Sequence, residues 1–141
     1  MAVREVGNLR TRLSFDDKGA TSSLQRFRQD LAGLRSEMRT VTAMGKGYTN
    51  SLRGLRKQQD ILNRQMRVHQ QRLNELNRRY REAVRAKGED SEEARRLNRQ
   101  YNNARAEMLR TEQQLKRVTQ AIEAQQNPWK RLSRQLDETG E

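Results

Sequence analysis

SLRGLRKQQDILNRQMRVHQQRLNELNRRYREAVRAKGEDSEEARRLNRQYNNARAEMLRTEQQLKRVTQAI, residues 51 to 122, sets its apolar residues at alternating gaps of three and four. The series runs Leu52, Leu55, Leu62, Met66, Leu73, Leu76, Tyr80 and Ala83, then Ala94, Leu97, Tyr101, Ala104, Met108, Leu115, Val118 and Ile122. This is a coiled-coil seam, in which about two of every seven residues face a partner helix and the rest stay in water. The same phase holds upstream through Leu24, Phe27, Leu31, Leu34, Met38, Val41 and Tyr48. So narrow an apolar stripe suits a rod or scaffold and leaves little material for a pocketed catalyst. The expected fold is all-α, with elongated coiled-coil helices and a short N-terminal β-strand.

The composition agrees. The chain has 141 residues, of which 32% are hydrophobic and 34% charged. That is too little apolar material for a thick core, so stability must come from helix-to-helix contact. A register held over more than a hundred positions argues against the disorder that such polarity would otherwise imply. With no cysteine there is neither a disulfide framework nor thiolate chemistry. No run approaches the roughly 18 apolar residues of a membrane helix, and Met1 to Phe15 lacks the apolar block of a signal peptide, so cytosolic synthesis is expected.

The net charge is +12, from 30 basic and 18 acidic residues, and residues 48–87 alone carry +8. Seven arginines of this segment, Arg64, Arg67, Arg72, Arg78, Arg79, Arg81 and Arg85, form a candidate basic face. Three readings fit it: a solvated surface, contact with an acidic protein surface, and a track for a phosphate backbone. Aromatic residues that would stack bases are missing there, since Tyr80 belongs to the seam.

Turn signals divide the chain. In residues 1–17, Leu9, Thr11, Leu13 and Phe15 alternate with polar residues in the period of two of a half-exposed strand, which must pair with another copy or a partner's sheet edge. A first amphipathic helix is expected over 20–44, ending at Gly45-Lys46-Gly47, where two glycines mark a hinge. Thr49, Asn50 and Ser51 offer caps for the next helix. Residues 48–126 form the main coiled-coil unit, with its turn at 88–91. There Arg85 and Lys87 suit a helix C-terminus, Gly88 a left-handed position, and Asp90 with Glu93 a capping box. Folding back between Gly88 and Glu89 gives an antiparallel hairpin in which facing residue numbers add to about 177, pairing Tyr80 with Leu97, Met66 with Thr111 and Leu62 with Leu115. A heptad also runs unbroken through the turn, so one continuous helix is the alternative. Asn127 and Pro128 open a further helix over 127–141, with Trp129, Leu132 and Leu136 on its seam, as in a piece cut from something longer.

Chemical motifs are scarce. His69 falls on the seam opposite Met108, and one imidazole without cysteine or a second histidine does not make a metal site. Gln59, opposite Val118, reads as another residue that sets the register. Gly45-Lys46-Gly47 lacks the spacing of a phosphate loop. The carboxylates sit in turns or among arginines, where ion pairing accounts for them. No catalytic, cofactor-binding or metal-binding residues are assigned, and a non-enzyme is expected.

The segments LRTRLSFDDKG, SSLQRFRQDLAGLRSEM, GYTNSLRGL and RYREAVRAKGEDSEEARRLNRQY resemble the N-terminal region of tail tape-measure proteins of long-tailed bacteriophages and prophages. The likeness covers essentially the whole chain. It implies a structural protein in which several parallel copies run along the tail tube lumen, set tail length and leave the tube at DNA ejection. It further implies self-association, contact with tail tube or tail-assembly proteins, manufacture in the bacterial host cytoplasm and residence in the virion tail. The chain is far shorter than a tape measure and lacks the hydrophobic segments and muralytic domains found further along in that family, as an N-terminal fragment would. A basic coiled coil that binds nucleic acid and a generic coiled-coil adaptor are the competing readings.

Overall fold

The computed structural model describes the backbone of residues 2–128, 132 and 135–137, and side chains within that set from Ser23 onward. Four helices follow one another: α1 (Ala2–Ala43), α2 (Lys46–Thr49), α3 (Leu52–Lys87) and α4 (Glu92–Gln126). The described residues contain no strand. At about 1.5 Å per residue, α3 and α4 are each rods on the order of 50 Å long.

α3 and α4 pack as an antiparallel hairpin. Cross-helix contacts fix its register: Gln59 Nε2 donates to Thr119 Oγ1 (3.4 Å), His69 Nε2 meets Thr111 Oγ1 (3.1 Å) and Arg72 Nη1 donates to Glu107 Oε2 (2.8 Å). These partners have numbers adding to about 179, two more than the register read from the heptads. Thr111 therefore meets His69 and not Met66. The cause lies in the turn. Gly88 ends α3 in the left-handed region at φ 95°, and Ser91, not Asp90, caps α4 by accepting from Ala94 N at 3.2 Å. The fold-back centre consequently moves one residue toward the C-terminus. Lys87 and Glu93 close the tip with an ion pair at 2.5 Å.

The main apolar cluster lies between these helices and contains Leu73, Leu76, Ala83, Ala94, Leu97 and Ala104, flanked by Leu24, Tyr80, Val84, Tyr101 and Met108. Alanines opposite leucines let the helix axes approach at this end. A second cluster lies between α1 and α3, where Leu34 and Val41 bury Ile61, with Met38, Tyr48 and Val68 at its edge. Ile61 is fully buried, at 0% exposure. The heptad reading of the hairpin passes over Ile61 and Val68, because they lie on a second stripe of α3 that points toward α1. α1 runs antiparallel to α3, and Arg64 pins the pair by meeting Glu37 (3.2 Å) and, one turn back on its own helix, Asp60 (3.1 Å).

The strand expected at Leu9, Thr11, Leu13 and Phe15 is not formed, since the backbone there is helical and continuous with α1. A single strand would leave a row of amides and carbonyls unpaired, whereas a helix satisfies them within the segment. The sequence also carries a competing period. Apolar residues recur every seven positions at Val6, Leu13, Ala20, Phe27, Leu34 and Val41, the spacing of one helix face. The first helix thus starts well before residue 20.

The corner between α1 and α3 is built from short-range polar contacts. Gly45 takes φ 95° and ends α1, and the single turn α2 reverses the chain. Ser51 caps α3 by accepting from Gly54 N (3.0 Å) while its hydroxyl donates to the Tyr48 carbonyl (2.5 Å). Gln58 Nε2 donates to the Thr49 carbonyl (2.9 Å) and the Gly54 carbonyl (3.2 Å), and Gln125 of α4 donates to the Asn50 carbonyl. Gly54 lies against the Tyr48 carbonyl so closely that a Cβ there would overlap it, whereas Gly33 in α1 has open space around it. Two substitutions of the same kind therefore have opposite signs. Gly54→Ala should cost at least about 1–3 kcal/mol through overpacking, and Gly33→Ala should gain about 0.5–1 kcal/mol from helix propensity. Urea unfolding followed by circular dichroism measures both, and equal effects would contradict the corner geometry.

Candidate functional site

Of the seam residues read from the sequence, Leu55, Leu62, Leu73, Leu76, Leu97 and Ile122 are buried, and Met66, Tyr80, Tyr101, Met108, Leu115 and Val118 are half-buried. At mid-length the seam turns polar. Gln65, His69 and Thr111 are all buried, with His69 only 2% exposed.

This polar layer has a defined hydrogen-bond order. The Thr111 hydroxyl donates to the Glu107 carbonyl one turn earlier (3.1 Å), so its oxygen accepts from His69 Nε2–H. His69 Nδ1 is then left as a buried atom without a partner. The Glu107 carboxylate stands beside it, held by Arg72 of α3 at 2.8 Å and Arg35 of α1 at 3.7 Å. Burial lowers the His69 pKa; Glu107 opposes the shift, and Arg72 and Arg35 reinforce it. The ring is therefore neutral at neutral pH. A neutral, hydrogen-bonded imidazole in a leucine seam fixes which residues face each other, because a slip of one heptad would bury it against apolar neighbours.

The seven arginines of the candidate basic face differ in their surroundings. Arg64 and Arg72 are half-buried and hold Glu37, Asp60 and Glu107. Arg78 is exposed and bridges Glu75 and Glu82 along α3 at 2.7 Å each, contacts that raise its pKa, the hydrogen bond to Glu75 most. Arg79 is half-buried, and Arg67, Arg81 and Arg85 are exposed. Part of the basic charge along α3 is thus paired with carboxylates, joining helices at Arg64 and Arg72 and successive turns at Arg78. Sequence spacing could not separate these classes, since each depends on which carboxylate a neighbouring helix brings near.

Among the described residues, no group of three or more His, Cys, Asp or Glu side chains is arranged to hold a metal ion. No described helix is long and apolar enough to cross a membrane. Trp129 lies outside the described residues; Leu132 and Leu136 are described and exposed. No family model, curated protein or solved structure matches the chain.

The His69 environment fixes the sign of a pH effect. A histidine whose folded pKa is depressed favours the neutral form, so its contribution is present above the unfolded value of about 6.5 and is lost as pH falls below it. Urea unfolding at pH 8.0 and 5.5 should show the chain weakened at the lower pH, and His69→Gln should flatten that difference. An unchanged pH response in the variant would place the titrating group elsewhere.

Proposed function

We propose that the chain is a structural scaffold module, the N-terminal part of a tail tape-measure protein of a long-tailed bacteriophage or prophage. The observation that carries this reading is the end-to-end pairing of α3 with α4, from Gln59 and Thr119 to the Lys87–Glu93 tip. Helices paired in this way supply length and stiffness, and their apolar residues are engaged in holding one helix to the next. The resemblance of the GYTNSLRGL corner and the Gly88 to Ser91 turn to that family supplies the biological setting, although the N-terminal strand that formed part of the likeness is helical here. Within it the module acts as part of the scaffold and length ruler of tail assembly, beside further copies of itself and the proteins of the tail tube, in the virion.

The nucleic-acid reading is less well supported, because Arg64, Arg72 and Arg78 are committed to Glu37, Asp60, Glu107, Glu75 and Glu82. A generic adaptor would share the hairpin but not the tail.

Deleting residues 52–126 in frame, in the phage or prophage that carries the gene, should give shortened tails or abort tail assembly when lysates are viewed by electron microscopy. Normal tails at unchanged length would reject the reading. The isolated chain should also self-associate, and shortening α1 by starting at Gly19 should weaken this, as measured by sedimentation over a range of protein and salt concentration. A monomer at tens of micromolar for both forms would remove self-association as an intrinsic property.

A further inference from the structure

The seam does not stop at the turn. Tyr80, Ala83, Lys87, Asp90, Ala94 and Leu97 follow one another at gaps of three, four, three, four and three, so the heptad passes through Gly88 in the phase it holds on both sides. A straight helix through the turn would therefore present the seams of α3 and α4 as one continuous stripe.

The cross-helix contacts have a matching property. Gln59 with Thr119, His69 with Thr111 and Arg72 with Glu107 all join residue numbers that add to about 179. An antiparallel pairing of that kind is preserved by a two-fold axis at its middle, because α3 of one copy can lie on α4 of a second with every partner the same. The Lys87–Glu93 ion pair at the tip follows nearly the same sum and can be kept as well.

What holds the chain in the turn is local. Gly88 stands at φ 95° and ψ 159°, a backbone conformation essentially confined to glycine. The bonds peculiar to the turn run from Ser91 N to the Gly88 carbonyl (3.2 Å) and from Ala94 N to the Ser91 hydroxyl (3.2 Å). Gly88 N already donates to the Val84 carbonyl (2.9 Å), the bond of a continuing helix, and straightening residues 88–91 would exchange the turn bonds for more of that kind. The exposed carboxylates of Glu89 and Asp90 act in the other direction, since two copies would bring four of them to the axis. Together with the entropy of association, they keep a dilute chain closed.

We infer that residues 88–91 are a hinge through which two copies of this chain exchange α4, giving a two-fold, antiparallel dimer in which residues 52–126 run as one helix. The surface that receives the second copy is the α3 stripe of Leu73, Leu76 and Ala83, which α4 of the same chain covers in the closed form. α1 stays on its own α3, held by Ile61 and by Arg64 with Glu37. The exchange rests on the hairpin alone and is independent of the scaffold reading.

Gly88→Ala separates the two states. Nothing lies within 4 Å of a Cβ at Gly88, so the substitution penalises only the backbone of the closed turn, while alanine favours the continuous helix. In sedimentation the full-length Gly88→Ala chain should associate about a hundredfold more tightly than the unaltered one, roughly tenfold for each turn opened. Gln59→Cys with Thr119→Cys then tells which chain supplies α4, since the sequence has no other cysteine. Bridged by a short bismaleimide, the pair should link one chain to another in the Gly88→Ala dimer and run as a covalent dimer on a denaturing gel, whereas closed hairpins lying side by side bridge within a chain. Gly45→Ala meets the same φ penalty at the other corner, again with nothing within 4 Å of its Cβ, and should leave the bridge within one chain. If Gly88→Ala folds poorly by circular dichroism, the double-cysteine chain with Gly88 intact, refolded at hundreds of micromolar, should give the interchain bridge. Three results would overturn the inference: a Gly88→Ala chain that stays monomeric with native helicity, bridges confined to one chain at every concentration, or an equal interchain yield in Gly45→Ala.

Discussion

Everything in this molecule depends on α3 having two apolar stripes instead of one. Leu73 and Leu76 face α4, and Ile61 and Val68 face α1. Neither α1 nor α4 has enough apolar surface to form a core alone, so both take their position from α3. A helix buried on two sides still leaves about half its circumference for charge, which explains how a chain with 34% charged residues keeps a fold at all. The ion pairs are arranged around this constraint. Arg64 and Arg72 leave α3 at the edges of the stripes, where a carboxylate from the next helix comes within reach.

Much of this architecture is legible in the sequence. The three-and-four spacing identifies the α3–α4 seam, Gly88 and the change of charge sign identify the turn, and Ser51 stands among the expected caps. The failures have physical causes. Leu9 to Phe15 alternate in a strand-like way, but the same residues fall within a seven-residue repeat running from Val6 to Val41, and the local helix satisfies its backbone without a partner. Ile61 is next to Leu62, and a search for one seam keeps only one of two adjacent apolar residues, although both are buried. The register slips because heptads match at many offsets, and the offset is chosen by backbone geometry at Gly88 and Ser91, which periodicity does not encode.

The polar layer was visible only in part. His69 and Gln59 stand on the seam by spacing, but the Thr111 hydroxyl that gives His69 its partner, and the Arg35 that reaches Glu107 from α1, emerge only when three helices are brought together. The same holds for the basic residues. Their number follows from composition, while their division into helix-joining and solvent-facing groups depends on tertiary neighbours.

The hairpin changes how much distance a given length of chain can span. Residues 52–126 drawn out as one helix would cover on the order of 110 Å, but folded at Gly88 they advance only about half as far. Each residue of the closed form therefore contributes roughly 0.7 Å along the axis in place of 1.5 Å. Opening the turn, with α4 swinging away to pair with a helix of a neighbouring molecule, would double the reach without altering a single helical hydrogen bond outside the turn. The cross-helix pairs between α3 and α4 are therefore also what holds the molecule at its shorter span.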